Sequence, residues 1–331
     1  MRVAIIILNY NGCALLAKFL PTVIAHSNHL ANIYVADNAS TDDSIIFLKE
    51  HFPQVKIIEN IENGGYAKGY NDAMQHITEE LVVLMNSDIE TTSGWLEPII
   101  AQFETETSLA AAQPKILDYK RPGYFEYAGA AGGFIDALGY PYCRGRIFDK
   151  IEKDTGQYND TIDIFWASGA CMILRTKHFW EANGLDEFYF AHQEEIDLCW
   201  RLKNLGYNIK YIGDSSVCHV GGATLNAVNP RKTFLNFRNS LCNLLKNVSG
   251  NKVYVLLFFR MCLDGIAAVR FLMDNKPKHF TAVIKAHLDF YRKLPALSRK
   301  RKTVQCNTVY YQVRSIIFNY FILGKKHYDK L

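Results

Sequence analysis

The sequence predicts an α/β fold, a doubly wound sheet over roughly the first two thirds of the chain followed by a mainly helical C-terminal region. Three observations predict it. Short, continuous apolar runs alternate with helix-like stretches from the first residues onward, as parallel strands covered on both faces require. Each of these runs ends in polar residues, where an open α/β sheet presents its ligand-binding loops. From residue 226 the strand pattern gives way to helical periodicity.

The elements follow in order. Residues 3–8 (VAIIIL) read as a first strand, an apolar run too short for a secretory signal. Residues 13–26 fit a helix. A second strand spans 32–36 and ends at Asp37-Asn38, and 42–51 form a short helix. A third strand covers 55–58, a helix 65–77, and a fourth strand 81–85 (LVVLM). Between 118 and 160 Gly, Tyr, Asp and Pro interrupt the pattern, as in a long excursion over the ligand-binding face. Residues 162–175 read as strand material, about 193–205 as a helix and 208–212 as a strand.

Composition narrows the function classes. Hydrophobic residues make up 49% and charged residues 21% of the 331, so a packed core is expected and global disorder is not. The net charge of +4 conceals an asymmetry: residues 276–331 carry 13 Lys/Arg against 2 Asp/Glu, leaving −7 over 1–275. A basic tail behind an acidic body points to an anionic partner, phospholipid headgroups or nucleic acid. The tail contains no recognised nucleic-acid module, which ranks that partner last. None of the eight cysteines forms a C-x-x-C pair, against a zinc ribbon and in favour of reduced thiols.

The strand ends supply the candidate chemistry. Asn9-Tyr10-Asn11-Gly12 follows the first strand, and Asp37-Asn38-Ala39-Ser40-Thr41-Asp42 the second. Asp37 suits a base N–H or ribose hydroxyl, whereas Asp42 reads better as a helix cap. Asn63-Gly64-Gly65-Tyr66-Ala67-Lys68-Gly69-Tyr70-Asn71 is neither G-x-G-x-x-G nor a P-loop; it is either a capped turn or a glycine-rich approach to a ligand. Asp88, just past the fourth strand, is placed for a hard cation or for a turn. Glu194, Glu195 and Asp197 crowd a helix start; helix-dipole complementarity explains one or two of them, and a general base is the other use. His219 is a structural residue or a metal ligand.

Taken together, these segments resemble family-2 glycosyltransferases of GT-A fold, particularly the bacterial branch containing rhamnosyltransferases of cell-surface polysaccharide assembly. The resemblance runs in collinear order over about 3–225. It implies a GT-A type, Rossmann-like nucleotide-diphospho-sugar transferase domain over 1–225 and a helical, basic region over 226–331. By this resemblance Asn9 and Asn11 touch the donor nucleoside, and Asp37 reads its base or ribose. Asn63, Gly65 and Asn71 belong to the donor segment. Asn86-Ser87-Asp88 stands where the family has D-x-D, with Asn86 beside the donor and Asp88 on Mg²⁺ or Mn²⁺. His219 completes the metal site. Trp166-Ala167-Ser168-Gly169 matches the segment beside the acceptor, so Trp166 and Gly169, with Asp186, are expected to bind it. Glu195 takes the place of the catalytic base, with Glu194 and Asp197 as alternatives.

The implied reaction is a single inverting displacement from a nucleotide-sugar donor, dTDP-rhamnose or a UDP-hexose. The implied acceptor is a hydroxyl of a glycan or of a polyprenyl-diphosphate-linked glycan. Two rivals remain: a sugar nucleotidyltransferase, disfavoured by the lack of a basic glycine-rich first loop, and a catalytically inactive sugar-nucleotide- or glycan-binding protein on the same scaffold. In the C-terminal region, Val253–Met273 is strongly apolar except for Arg260, Asp264 and Arg270. With Asp274 these fall within an arc of about 120°, predicting an amphipathic helix with a wide apolar face. That face packs on the domain or lies in a membrane interface. The basic run after it favours peripheral contact with an anionic membrane, over the alternative of a solvated helical face. The expected location is cytoplasmic, at the inner face of the plasma membrane.

Overall fold

The computed structural model describes residues 1–221, 229–301 and 309–331. Lys302, Cys306, Gly222 and the expected domain boundary at 225/226 lie outside the described residues. The first half alternates as expected: β1 (Val3–Asn9), α1 (Cys13–Ser27), β2 (Ala31–Asp37), α2 (Ser44–His51), β3 (Lys56–Glu59), α3 (Gly65–Met74) and β4 (Leu81–Asn86). The next elements are β5 (Ile89–Thr91), α4 (Glu97–Thr105) and β6 (Leu109–Asp118), which the sequence reading left unassigned. The excursion after β6 is not all loop. β7 (Gly133–Ile135), β8 (Pro141–Cys143), β9 (Arg146–Ile147) and β10 (Lys150–Ile151) build a small antiparallel sheet. Strands of two or three residues are too short to leave a periodicity.

The expected strand at 162–175 is two strands, β11 (Thr161–Asp163) and β12 (Cys171–Arg175), separated by the turn that contains Ser168-Gly169. There follow α5 (Thr176–Glu181), a 3₁₀ turn (Glu187–Tyr189), α6 (Glu194–Asn204), β13 (Asn208–His219), α7 (Pro230–Asn247), α8 (Lys252–Met273) and α9 (Pro277–Lys300).

Among the described residues the main sheet has nine strands in the order β11-β13-β6-β12-β4-β1-β2-β3, with β5 on β13. β3, β2, β1 and β4 run parallel, and alternate residues bury on opposite faces: Ala4 and Ile6 in one core, Val3, Ile5 and Ile7 in the other. Burial on both sides is why these strands read as unbroken apolar runs. The sheet is mixed, however, because β12 lies antiparallel between β4 and β6. This reversal brings the start of β12 to the carboxyl end of β4, where Cys171 pairs with Met85 and Asn86 N–H donates to Ala170 O at 3.0 Å. β5 likewise pairs with the end of β13, setting His219 opposite Ile89.

The C-terminal helices are joined to this sheet by buried charge. Lys246 on α7 lies 2.7 Å from Asp186 and 2.9 Å from Asp197. Asp197 also accepts from Arg201 at 2.8 Å, Asn247 at 2.9 Å and the Tyr189 hydroxyl at 3.3 Å. Lys300 on α9 meets the other Asp186 oxygen at 2.6 Å. Burial opposes the charge on Asp197, but Arg201 and Lys246 outweigh it and hold the carboxyl well below the usual range. Lys246→Met would strip Asp197 and Asp186 of a shared cation, and removing one partner of a buried pair costs about 3–5 kcal/mol. Denaturant unfolding should report that loss, with much of it recovered in Lys246→Met/Asp197→Leu.

Candidate active site

Most of the candidate residues gather at the carboxyl ends of β1, β2 and β4, the start of α3, the 168–170 turn, the start of α6 and the end of β13. At β1 and β2 the loops brace each other. Buried Asn9 donates to Asp37 at 3.0 Å, and the other Asp37 oxygen accepts Ser40 N–H at 2.7 Å. Asn11, with φ of 50°, accepts Thr41 N–H at 2.7 Å. Asp37, only 2% exposed, therefore organises the two loops rather than standing open to a base. The Asn9 amide oxygen is buried without a partner. Asp42 does cap, accepting Ser44 N–H at the start of α2 and Cys13 N–H at the start of α1, both at 3.1 Å.

α3 opens on Gly65, whose φ of 79° is the left-handed region that favours glycine. A Cβ there would lie 2.5 Å from Phe190 O, so this turn and the 186–193 loop are in direct backbone contact. Asn63 caps the turn, accepting Gly65 N–H at 3.1 Å. Asn71, expected on the donor, instead ties α3 to that loop: it donates to Leu185 O at 2.8 Å and accepts Leu185 N–H at 2.9 Å. Tyr66 donates to Gly169 O at 2.6 Å, and a Cβ on Gly169 would fall 2.7 Å from that hydroxyl and 3.7 Å from Glu195 Cβ. Gly169 is thus a floor between Tyr66 and Glu195 that only glycine fits.

Glu194 and Glu195 share the first turn of α6, each with one carboxylate oxygen lacking any partner. Glu194 is buried and Glu195 partly exposed. Burial pushes the Glu195 carboxyl up to about 7. Burial, and then the neighbouring Glu195, raise Glu194 well above the usual carboxylate range. Asp197, the other alternative base, is corrected to a structural role, since its oxygens are fully buried and taken by Arg201, Lys246, Asn247 and Tyr189. Asp186, expected at the acceptor, is likewise held between Lys246 and Lys300. Trp166 is a core residue: its ring lies against Gly133 and its indole N–H donates to Phe134 O at 2.9 Å.

Asp88 and His219 meet as expected, with Asp88 Oδ1 3.1 Å from His219 Nε2. Asn86 stands 3.5 Å from the same nitrogen. Sequence reasoning missed Glu126, buried on the far side of the ring with Oε1 3.4 Å from Nδ1, without an aligned hydrogen bond. Burial disfavours a charged imidazole here, but the close contact with Asp88 and the charges of Asp88 and Glu126 outweigh it and raise His219 to about 10. Burial also opposes the charge on Asp88, which His219 nevertheless holds below its usual value. Among the described residues no three carboxylate, imidazole or thiol groups converge on one point. Asp88 could offer an oxygen and His219, once its ring has given up a proton, a nitrogen to a divalent cation such as Mn²⁺ or Mg²⁺, with Glu126 against the other ring nitrogen.

Sequence reasoning also missed the support of the 186–193 loop. Phe190, His192 and Gln193 all have φ between 63° and 68°, a costly conformation for residues other than glycine. Asn239 on α7 donates to His192 O at 2.7 Å, Ala191 O at 3.1 Å and Tyr189 O at 3.3 Å, and Arg238 donates to Phe188 O and Tyr189 O at 3.2 Å. Asn243 adds Gln193 O at 3.3 Å. The available signal was the i, i+4 repeat of Asn239, Asn243 and Asn247 within an otherwise amphipathic helix.

N-acetylglucosaminyl-diphospho-decaprenol L-rhamnosyltransferase of Mycobacterium tuberculosis is 23% identical over 233 residues, covering 65% of this chain and 75% of the relative. Rhamnosyltransferase WbbL of Escherichia coli K12 is 26% identical over 219 residues, covering 63% of this chain and 80% of the relative. The mannosyltransferase PcManGT from Pyrobaculum calidifontis, solved with GDP-Man and Mn²⁺, shares the fold with a TM-score of 0.54 at 13% identity, covering 92% of this chain and 84% of that one. The profile of glycosyl transferase family 2 matches residues 4–182, more than half of the chain, and the protein belongs to that family.

Proposed function

We propose that this protein is an inverting, divalent-metal-dependent glycosyltransferase that moves rhamnose or a hexose from a nucleoside-diphosphate donor to a hydroxyl of a lipid-linked glycan. In this reading residues 1–225 are catalytic, residues 226–331 brace them, and the work is done at the cytoplasmic face of the plasma membrane in cell-surface polysaccharide synthesis. The observation that carries it is Glu195: at the start of α6 it holds a buried carboxylate oxygen without a partner, and burial raises its carboxyl to about 7, beside Gly169 and at the same sheet end as Asp88 and His219. The lipid-linked acceptor and the rhamnosyl donor are supported by the names of the M. tuberculosis and E. coli relatives, and the metal by the Mn²⁺ of PcManGT.

Glu195 receives the proton of the acceptor hydroxyl as its oxygen attacks the anomeric carbon from the face opposite the diphosphate. The bond from the anomeric carbon to the diphosphate oxygen breaks, the configuration inverts, and the nucleoside diphosphate leaves. Glu194 is more deeply buried, and burial together with the neighbouring Glu195 raises its carboxyl well above the usual range, so Glu195 is the base of this reading. Asp88 and His219 would hold a divalent cation, which would supply charge neutralisation for the diphosphate. The loop from 186 to 193 and the Tyr66–Gly169 contact hold the base in place.

Four outcomes are expected. Because the base must be deprotonated, kcat should rise with pH through about 7 and level off above it. Glu195→Gln should lose about 10²–10⁴-fold in kcat while retaining nucleotide binding by calorimetry. Nucleoside-diphosphate release from a panel of nucleotide sugars should be abolished by EDTA, restored by Mn²⁺ or Mg²⁺, and lost in Asp88→Asn. Absence of nucleotide binding with or without metal would sink the transferase reading. Asn239→Ala leaves the Ala191 and His192 carbonyls without their side-chain donor; misplacement of the base should lower kcat on the order of 100-fold with a much smaller change in donor affinity.

A further inference from the structure

α8 is folded with its polar side inward. The expected arc of charges divides: Arg270 and Asp274 face solvent, whereas Arg260 and Asp264 are 4% and 0% exposed. Arg260 donates to Asp264 at 2.9 Å, to Leu138 O at 3.0 Å and to Ser240 at 2.7 Å, and its guanidinium lies 3.6 Å over the Tyr140 ring. Asp264 also accepts the Tyr140 hydroxyl at 3.0 Å and faces His287 at 3.3 Å. These polar anchors fix which side of the helix looks out, and the outward side is apolar.

Val255, Phe259, Ile266, Val269 and Met273 recur at helical spacing along that side, with Phe258 beside them. Phe258 is 64%, Ile266 67% and Met273 79% exposed. α9 extends the surface laterally, because its exposed Tyr291 donates to Met261 of α8 at 3.1 Å. A continuous apolar stripe along a helix of 22 residues is not ordinary solvent-facing surface.

Charge identifies the occupant. Lys276, Lys278 and Lys285 follow the end of the stripe, all exposed, and none has a carboxylate partner among the described residues. They belong to the 56-residue stretch that carries +11. Bulky aromatic and aliphatic side chains rimmed by lysines are the composition of a helix lying in the headgroup layer of an anionic membrane. No helix among the described residues is long and apolar enough to cross a membrane, as fits a helix lying in its plane.

We propose that the outward face of α8, flanked by the lysines of the α8–α9 turn and α9, is a docking surface for an anionic lipid bilayer. It deepens the membrane-face location given above but does not depend on the transfer chemistry, which is read separately. The full chain is sedimented with vesicles of phosphatidylcholine alone and of phosphatidylcholine with phosphatidylglycerol. It should partition onto the anionic vesicles and much less onto the neutral ones. Phe259→Glu/Ile266→Glu should weaken that partition by at least about tenfold. Lys276→Gln/Lys278→Gln/Lys285→Gln should weaken it about fivefold per lysine.

Both variants alter exposed side chains, so their unfolding midpoints and vesicle-free donor hydrolysis should match the parent. Equal binding to both vesicle types, or none, would overturn the proposal. So would a dimer in sedimentation velocity that the glutamate variant dissociates without any vesicle binding by the parent, which would assign the face to a second copy of the chain. Loss of donor hydrolysis in the parent would instead count against the transferase reading and leave the lipid result to be judged alone.

Discussion

The pairing of Lys246 with Asp186 and Asp197 is the interaction on which the rest of the arrangement depends. One ammonium on α7 satisfies two carboxylates on either side of the loop that precedes α6. Those carboxylates, deprived of it, would be buried negative charges in a segment that already contains three residues at positive φ. The ion pair therefore sets where the loop begins and ends, and Asn239, Asn243 and Arg238 hold the carbonyls between. Everything the site needs from that side, including the Phe190 carbonyl against Gly65 and the free acids of α6, follows from the loop having that one path. The C-terminal helices are thus part of the site's framework, though none of their residues was expected in it.

Acidity at the start of α6 divides by environment rather than by residue type. Asp197 has cations on two sides and stays charged. Glu194 and Glu195 have none, and burial makes their charged forms unfavourable. Three acids within one helical turn are thus set apart by what surrounds them, one held in an ion-pair network and two without a counter-charge.

The parallel half of the sheet was legible because its strands are buried on both faces and read as pure apolar runs, as in Val3–Leu8 and Leu81–Met85. The approach of Asp88 to His219 was legible only through family resemblance, since no local pattern joins residues 131 apart; the β5–β13 pairing that brings them together involves a strand of three residues. Asp186, Asp197, Asn71 and Trp166 had the right types at the right spacing for ligand contact, yet each is engaged by partners from distant segments: Lys246 for the two acids, Leu185 for Asn71 and Phe134 for Trp166. Glu126 was hidden in an excursion with no periodicity. For α8 the period was right and the direction was left open. Helical spacing gives the two faces of a helix, but Tyr140, Leu138 and Ser240 decide which one turns inward.

The antiparallel placement of β12 divides the molecule's capacity for change. Residues of β1 to β4 and their loops make one half of the candidate site, drawn from the first 90 or so positions and braced by hydrogen bonds such as Asn9 to Asp37. The other half comes from later, less regular segments, brought beside β4 by the antiparallel run of β12. Insertions or exchanges in the 118–160 excursion can alter that second half without shifting the register of the parallel strands. A scaffold divided in this way can vary one side of its site while the other keeps its shape.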